Sequence, residues 1–307
     1  MDGGGALDAV VRTLARRRRV EDALRAALRA ADYHEVVIPL LQPAETGVGW
    51  GASYRVLDQE GALLELRPDM TLPVARLCAA GDAGGPRPRR LYYVATLFRR
   101  GADGPRELVQ AGAERIGGAG DPEEADVETV ALCARCLEAA GLRRYLLALG
   151  DVGVVRETLA GEPRAAEVEE ALRRRDLVAV AACGGPAASL LWRGTAAEAL
   201  AGGLRVSGPA GRRLLRVLGV LRARGLAGQV LVEPGLVPPG RYYTGLVFEA
   251  LLPGQPAAVG DGGRYDDLLA RWGRPEPAVG FALDCDRLLA AGAGECAAGA
   301  GCARVPS

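Results

Sequence analysis

The chain has 307 residues with 38 basic and 38 acidic side chains, and apart from a single histidine, His34, every basic residue is arginine. The absence of lysine excludes Schiff-base chemistry and a phosphate-binding P-loop, and one histidine excludes metal sites built from several histidines. A net charge of zero argues against general binding of polyanions, which requires clustered positive charge. We expect no cofactor.

The cysteines and the apolar runs indicate in which cellular compartment the protein is expected. Seven cysteines are scattered along the chain, an odd number that is typical of reduced cytosolic thiols. Cys133 and Cys136 form a C-x-x-C pair inside a helical pattern, and buried small side chains are a simpler interpretation than a zinc site. The N-terminus lacks a signal-peptide pattern, and no uncharged run is long enough to cross a membrane. We therefore expect a cytoplasmic protein without membrane association.

Helices and strands alternate in the first half of the chain. Apolar residues recur every three or four positions over residues 6–31, which predicts a helix. Asp121 and Pro122, followed by two glutamates, predict the start of another helix because they supply a cap, a fixed φ and favourable charge. The remaining predicted elements are a strand at 35–39, a hairpin at 54–57 and 63–66, a helix at 68–80, and strands at 90–98, 107–116 and 145–149.

The second half begins with a segment of different composition. Residues 151–227 are rich in Ala, Leu, Arg and Glu at helical spacing, which predicts a helical insertion without strands. Strands are predicted at 229–232, 245–251, 257–259 and 278–283, helices at 264–272 and 284–291, and a disordered tail at 292–307. The predicted fold is α+β, with an antiparallel sheet built from residues 1–150 and 228–291 and flanked by helices.

Two clusters of polar residues in the first half are candidates for a binding site. The first is the run 66–71 (LRPDMT) at the end of a strand. The second contains Arg99 and continues into a strand where Gln110, Gly112 and Glu114 share one face, since strand side chains alternate. These residues predict a floor for a small polar ligand, and glycine admits close approach. A plain solvent-exposed sheet face explains the spacing equally well.

Two further clusters lie in the second half. One is the run 241–249 (RYYTGLVFE), and the other combines 260–266 (GDGGRYD) with 278–287 (AVGFALDCDR). Paired tyrosines with acids nearby suit an aromatic or amine-bearing ligand. In the alternative interpretation, Gly262 and Gly263 form only a tight turn and Arg287 is only a surface residue.

Taken together, the clusters resemble the catalytic core of class II aminoacyl-tRNA synthetases of the histidyl type, over about residues 6–291. Residues 33–39 are similar to the dimer-forming first motif, residues 98–114 to the second, and residues 280–287 to the third. The runs YYTG and GGRYD resemble the two histidine-binding segments of histidyl enzymes. The resemblance implies a class II synthetase fold.

Several positions depart from the synthetase pattern. Pro238 stands where histidyl enzymes have an arginine that activates the histidine carboxylate, and proline offers no donor to developing negative charge. Loss of such a donor costs on the order of a hundredfold in rate. Gly101 stands where an acid helps to hold ATP, and the loop after it is short. With 307 residues, we also expect no anticodon-binding domain.

With these departures, the chain resembles the regulatory subunits of ATP phosphoribosyltransferase, non-catalytic paralogues of the histidyl enzymes. The runs 66–71, 105–112 and 284–287 are closer to this family. The resemblance implies a short-form catalytic subunit as partner, its activation, and feedback inhibition by histidine in the first step of histidine biosynthesis. It also implies a homodimer through the first motif, no tRNA partner and no catalytic residues.

The same resemblance carries over a remnant histidine pocket and remnant ATP contacts. The pocket residues are Asp69, Thr71, Arg99, Gln110, Glu114, Tyr242, Tyr243 and Tyr265, and the ATP-contacting residues are Arg99 and Arg287. The retained arginines keep open an alternative, a divergent histidyl-tRNA synthetase or a histidine-activating ligase. A binding module that assembles with some other enzyme is a third interpretation.

Overall fold

A nine-stranded sheet forms the centre of the fold in the described part of the chain. The computed structural model describes residues 3–44, 53–81, 87–101, 104–240 and 242–293. The strands are β1 (His34–Glu35), β2 (Leu41–Pro43), β3 (Tyr54–Leu57), β4 (Leu63–Leu66), β5 (Arg89–Gly101), β6 (Gly104–Ile116), β7 (Leu146–Asp151), β8 (Gly194–Thr195), β9 (Val230–Val232), β10 (Leu246–Leu251), β11 (Gly260–Arg264) and β12 (Ala278–Asp284). The main sheet has the order β1-β5-β6-β12-β11-β10-β7-β9-β8, and β2-β4-β3 form a small second sheet.

Helices cover this sheet and fill the segment between β7 and β9. They are α1 (Gly3–Arg29), α2 (Thr71–Ala80), α3 (Pro122–Ala139), α4 (Val152–Thr158), α5 (Ala165–Arg173), α6 (Leu177–Cys183), α7 (Ala196–Glu198), α8 (Pro209–Ala223) and α9 (Cys285–Ala290). As predicted, Asp121 caps α3 by accepting the Glu123 N–H at 2.9 Å. None of the described helices combines the length and the apolar composition needed to cross a membrane.

The pairing in the main sheet is antiparallel except for β1 with β5 and β7 with β9. Side-chain alternation gives the sheet two different faces. Ala111 and Ala113 of β6 pack into an apolar core with residues of α1, α3 and α8, whereas Leu108 and Ile116 on the opposite face pack with residues of α2. The predicted α+β class is confirmed, and the second face carries Gln110 and Glu114.

The predicted strand at 35–39 is wrong in extent. Only His34 and Glu35 pair with β5, and the N–H of Val36 makes one further bond, 2.8 Å long, to the Tyr92 carbonyl oxygen. The chain then leaves the sheet edge before Pro39, which has no N–H to continue a ladder. A short strand missed by the sequence analysis, β2, follows and joins the small sheet.

The predictions of a strand at 257–259 and a helix at 264–272 are also wrong. The strand is β11, shifted onto the glycine-rich run, and only Leu269–Trp272 form a 3₁₀ turn. A Cβ atom on Gly262 would lie 2.5 Å from the Gly280 carbonyl oxygen and 2.7 Å from the Phe248 ring. The glycines therefore permit close packing inside the sheet, although in the sequence they are typical of a turn.

The segment 151–227 is mainly helical but is not free of strands. Gly194 and Thr195 pair with β9 at the edge of the main sheet, and Thr195 then forms a capping box with Glu198. A two-residue strand carries too little alternation to be predicted from sequence. Division of the chain at residues 150 and 228 stays a prediction, and the predicted tail beyond residue 293 lies outside the described residues. Cys133 and Cys136 are buried in the apolar core, as predicted.

Candidate functional site

A cavity opens on the second face of the sheet, between β6, β11, β12 and the start of α2. The space it encloses is about 340 Å³ when the open space at its mouth is included. The lining contains every residue that the resemblance carried over to the histidine pocket. The lining residues are Asp69, Met70, Thr71, Arg99, Gln110, Glu114, Tyr242, Tyr243, Asp261, Tyr265, Gly280, Phe281 and Ala282.

Glu114 lies at the centre of the floor and is 1% exposed. Its Oε1 accepts a hydrogen bond of 2.9 Å from the Thr71 hydroxyl, and its Oε2 accepts one from the Tyr265 hydroxyl. Burial raises the pKa of Glu114 to about 8, and the charges of Asp69 and Asp261 act in the same direction. The hydrogen bonds from Tyr265 and Thr71 lower the pKa and so limit this rise. The pocket therefore holds a carboxyl group that can ionise when a cationic ligand enters.

The titration of Glu114 predicts a pH dependence of stability. Folded protein keeps this proton up to about pH 8, whereas the unfolded chain loses it near the usual pKa of 4.5. Between these values the folded state binds more protons, so the free energy of unfolding falls as pH rises, by no more than roughly 1 to 1.5 kcal/mol per pH unit. Glu114→Gln removes this titration. Urea denaturation from about pH 5 to about pH 8 should therefore show a steeper decline for wild type, and parallel curves would contradict the assignment.

Three tyrosines form the aromatic wall of the pocket. The ring of Tyr242 lies 4.7 Å from that of Tyr243 and meets the Tyr265 ring edge-on at 5.8 Å, centroid to centroid. The Tyr243 hydroxyl donates to Asp261 at 3.2 Å. Burial raises the pKa of Asp261 to about 6, and the nearby charge of Arg99 limits this rise. The wall is therefore apolar on its ring faces and acidic at its base.

The turn before α2 brings three polar side chains to the pocket. Asp69 accepts the Leu72 N–H at 2.9 Å and so fixes the start of the helix that presents Thr71. The Nε of Arg99 donates to the Pro68 carbonyl oxygen at 2.7 Å. Buried Arg67 anchors the same turn to β5 by donating to the Thr96 carbonyl oxygen at 2.9 Å. The run 66–71 thus positions a carboxylate, a hydroxyl and a guanidinium at one end of the floor.

Arg287, the second predicted ATP contact, lies outside the cavity lining. Asp284 caps α9 by accepting the Arg287 N–H at 3.0 Å, and its other oxygen lies 3.4 Å from the Arg287 Nε. The guanidinium also donates to the Ala258 carbonyl oxygen. The positive charge of Arg287 is one of the causes that limit the rise of the Asp261 pKa. Among the described residues, no group of His, Cys, Asp or Glu side chains is placed to hold a metal ion.

Five lining residues, Met70, Asp261, Gly280, Phe281 and Ala282, lie in the candidate runs but were not among the pocket residues that the resemblance carried over. The most important is Asp261, which pairs with Ala282 across the sheet. Because the predicted strand ended at residue 259 and the predicted helix began at 264, Asp261 fell in the connection between them. Alternation along a strand would have put it on the same face as Gly263, beneath the Tyr243 ring.

Gly280 is a second point where the floor tolerates no side chain. A Cβ atom there would overlap Glu114 Oε2 and would lie 2.6 Å from the Ala113 carbonyl oxygen. Gly280→Ala is therefore expected to lower the free energy of unfolding by about 1–3 kcal/mol and to displace Glu114. Gly219→Ala in α8, where a Cβ atom meets nothing within 4 Å, should instead be neutral or stabilising. Equal effects of the two substitutions in urea denaturation would refute this packing.

Comparisons with known proteins assign the family. The family profile described as Histidyl-tRNA synthetase matches residues 5–288. The ATP phosphoribosyltransferase regulatory subunit of Symbiobacterium thermophilum is 42% identical, over 94% of this chain and 78% of the relative. This chain belongs to the family of ATP phosphoribosyltransferase regulatory subunits. The regulatory subunit of Moorella thermoacetica is 38% identical over 89% of this chain and 77% of its own length.

Solved structures agree with membership of the regulatory-subunit family. A Bacillus halodurans protein described as an ATP phosphoribosyltransferase regulatory subunit/histidyl-tRNA synthetase has a TM-score of 0.82 and 31% identity, covering 91% of this chain and 79% of that one. The histidyl-tRNA synthetase of Nostoc has a TM-score of 0.74 at 17% identity, covering 89% and 70%, and shows the fold alone. The predicted class II synthetase-like fold of the regulatory subunit is thereby confirmed.

Proposed function

We propose that this chain assembles with a short-form ATP phosphoribosyltransferase catalytic subunit, activates it, and confers feedback inhibition by histidine. The names of the curated relatives support the partnership. The observation that carries the histidine part is the pocket itself, where Glu114, Asp261 and the tyrosines surround one cavity. Such a lining suits a ligand that combines a ring with a basic group.

Histidine would lie on the floor of this pocket. Glu114 would meet its amine or imidazole, and the rings of Tyr242, Tyr243 and Tyr265 would pack against its imidazole ring. Arg99 would supply positive charge for the carboxylate, since guanidinium and carboxylate form strong charge-assisted bonds. Gln110, buried on the same strand as Glu114, offers both a donor and an acceptor.

We further propose that the chain has no catalytic activity of its own. Pro238 occupies the position of the activating arginine, and its carbonyl oxygen accepts a bond of 2.7 Å from Arg173. A site without that donor would stabilise a transferring phosphoryl group poorly. Purified chain should therefore give no histidine-dependent exchange of pyrophosphate into ATP. Clear exchange would instead favour a divergent synthetase or a histidine-activating ligase, an alternative that Arg99 in the pocket lining supports.

A homodimer through the first motif is part of the proposal. β1 lies at the sheet edge, and beside it Val37 is 87% exposed. Leu40 and Leu41 are exposed in the same stretch. Apolar side chains next to an unpaired strand edge are typical of a surface that a second copy covers. Sedimentation of the purified chain should give twice the monomer mass, and a monomer at all concentrations would exclude this arrangement.

A further inference from the structure

Two arginines of the helical segment 151–227 bind the part of the chain that carries the pocket tyrosines, and a third pairs with the strand that follows it. Arg156 of α4 donates to the Tyr243 carbonyl oxygen at 3.2 Å, and Arg173 at the end of α5 donates to the Pro238 carbonyl oxygen at 2.7 Å. Arg175, in the turn before α6, forms an ion pair with Glu249 of β10. We call these residues the arginine clamp, and residues 236–240 and 242–245 the tyrosine segment.

Arg175 is held in a conformation that favours glycine. Its φ is +56°, and it follows the C-cap residue of α5, a position where helices commonly end on a left-handed glycine. Only one other described non-glycine residue, Asp32, has a positive φ. The side chain forms an ion pair with Glu249, and its Nη1 lies 3.8 Å from Glu233 Oε2. These interactions offset the cost of a backbone conformation that disfavours arginine.

A second cavity lies between the clamp and the tyrosine segment. It encloses about 310 Å³ when the open space at its mouth is included, and it is lined by Val152, Val155, Arg156, Glu169, Arg173, Val237, Gly240 and Tyr243. Tyr243 lines both this cavity and the ligand pocket, so it lies between the two spaces. Guanidinium groups bonded to two carbonyl oxygens of the tyrosine segment set its position on the side away from the pocket.

We propose that Arg156 and Arg173, which bond the tyrosine segment, and Arg175, which pairs with the strand β10 directly after it, are positioning residues. They hold this stretch of the chain and transmit occupancy of the pocket to helices α4, α5 and α6. A ligand that packs on Tyr243 fixes the segment, and the segment in turn orders the guanidinium groups and their helices. Such coupling is reciprocal, so a partner that binds these helices changes ligand affinity by the same factor. The identity of the ligand rests on the proposed function, whereas the clamp does not.

Amide hydrogen exchange on the full chain tests the clamp without a ligand. Arg173→Met removes the bond to the Pro238 carbonyl oxygen together with pairs to Glu169 and Glu170 on its own helix. Arg175→Gly removes the pairs with Glu249 and Glu233, and the glycine also suits the positive φ, so that variant should fold. Arg173→Met breaks a direct bond and should speed exchange in the tyrosine segment at least about fivefold, the lower end of typical couplings. Arg175→Gly acts through β10 and should change exchange in the segment in the same direction. Arg174→Ala is the control, because its side chain is 74% exposed and pairs with Glu170 on its own helix. Unchanged exchange in both clamp variants would overturn the proposal.

The same samples with saturating histidine test the transmission. In wild type, histidine should slow exchange in β6 and β11 and also in α5 and α6, and in the clamp variants the slowing should be confined to the strands. If histidine still slowed amide exchange in α5 and α6 of the clamp variants, the proposed transmission would be overturned. If histidine protects no strand of the wild-type pocket, the proposed ligand is wrong, and the ligand-free exchange still decides whether the clamp exists.

Discussion

Asp126→Asn is expected to lower the free energy of unfolding by about 3–5 kcal/mol, a large part of the stability of a typical domain. Asp126 of α3 is fully buried, and its Oδ1 lies 2.7 Å from the Nη2 and 2.9 Å from the Nε of Arg264 in β11. Burial raises the pKa of Asp126 to about 6, so the carboxyl is still ionised at neutral pH. The asparagine would leave the buried guanidinium without a full counter-charge, although Asp266 lies 3.0 Å away.

Two further variants make this prediction specific to burial. Asp22→Asn removes an ion pair of 3.5 Å with Arg25, but Asp22 is 74% exposed and the loss should be no more than about 1 kcal/mol. The double variant Asp126→Leu/Arg264→Met removes both buried charges and should recover part of the lost stability. Urea denaturation of the set measures this directly. A loss below about 1 kcal/mol for Asp126→Asn would show that water or the backbone compensates Arg264.

Glu114→Gln is expected to raise the dissociation constant for histidine by about 30-fold or more, equivalent to about 2 kcal/mol. Glu114 is the most deeply buried carboxyl in the pocket, and Thr71 and Tyr265 hold both of its oxygens. Glutamine keeps the shape but cannot carry the negative charge that the amine or imidazole of histidine would meet. Isothermal titration of the purified chain measures the effect.

The control for this substitution lies on the same strand. Glu107 belongs to β6 but is exposed, away from the pocket lining, so Glu107→Gln should leave histidine binding unchanged. Equal affinity of the wild type and the Glu114 variant for histidine would show that Glu114 does not contact the ligand. A similar loss in both variants would indicate a long-range effect of charge instead of a contact.

The local part of the site could be predicted from the sequence, and its assembly could not. Strand alternation alone places Gln110 and Glu114 on one face, because that pattern depends only on neighbouring residues. The contacts of Glu114 with Thr71 and Tyr265 join distant parts of the chain, so only the family resemblance could suggest them. The glycines of β11 predict a turn when only neighbouring residues are considered. The close approach of Gly280 explains them, and it arises only when the strands pair in the folded chain.

Arg287 and the arginine clamp illustrate opposite cases. Asp284, three residues before Arg287, is a typical helix cap, so capture of the arginine at the start of α9 could have been predicted from local spacing. In contrast, Arg156 and Arg173 look in the sequence like ordinary solvated residues on arginine-rich helices. Their bonds to the tyrosine segment depend on how the helical segment packs against the sheet, which no local pattern encodes.

Reconstitution with a short-form ATP phosphoribosyltransferase catalytic subunit tests the central claim most directly. Adding this chain should raise phosphoribosyltransferase activity, and histidine should then inhibit the complex. With the Glu114→Gln variant, activation should persist while inhibition requires at least about 30-fold more histidine. An unchanged activity of the catalytic subunit in the presence of this chain would contradict the proposed regulatory function. Equal inhibition of the wild-type and variant complexes by histidine would contradict the proposed histidine site.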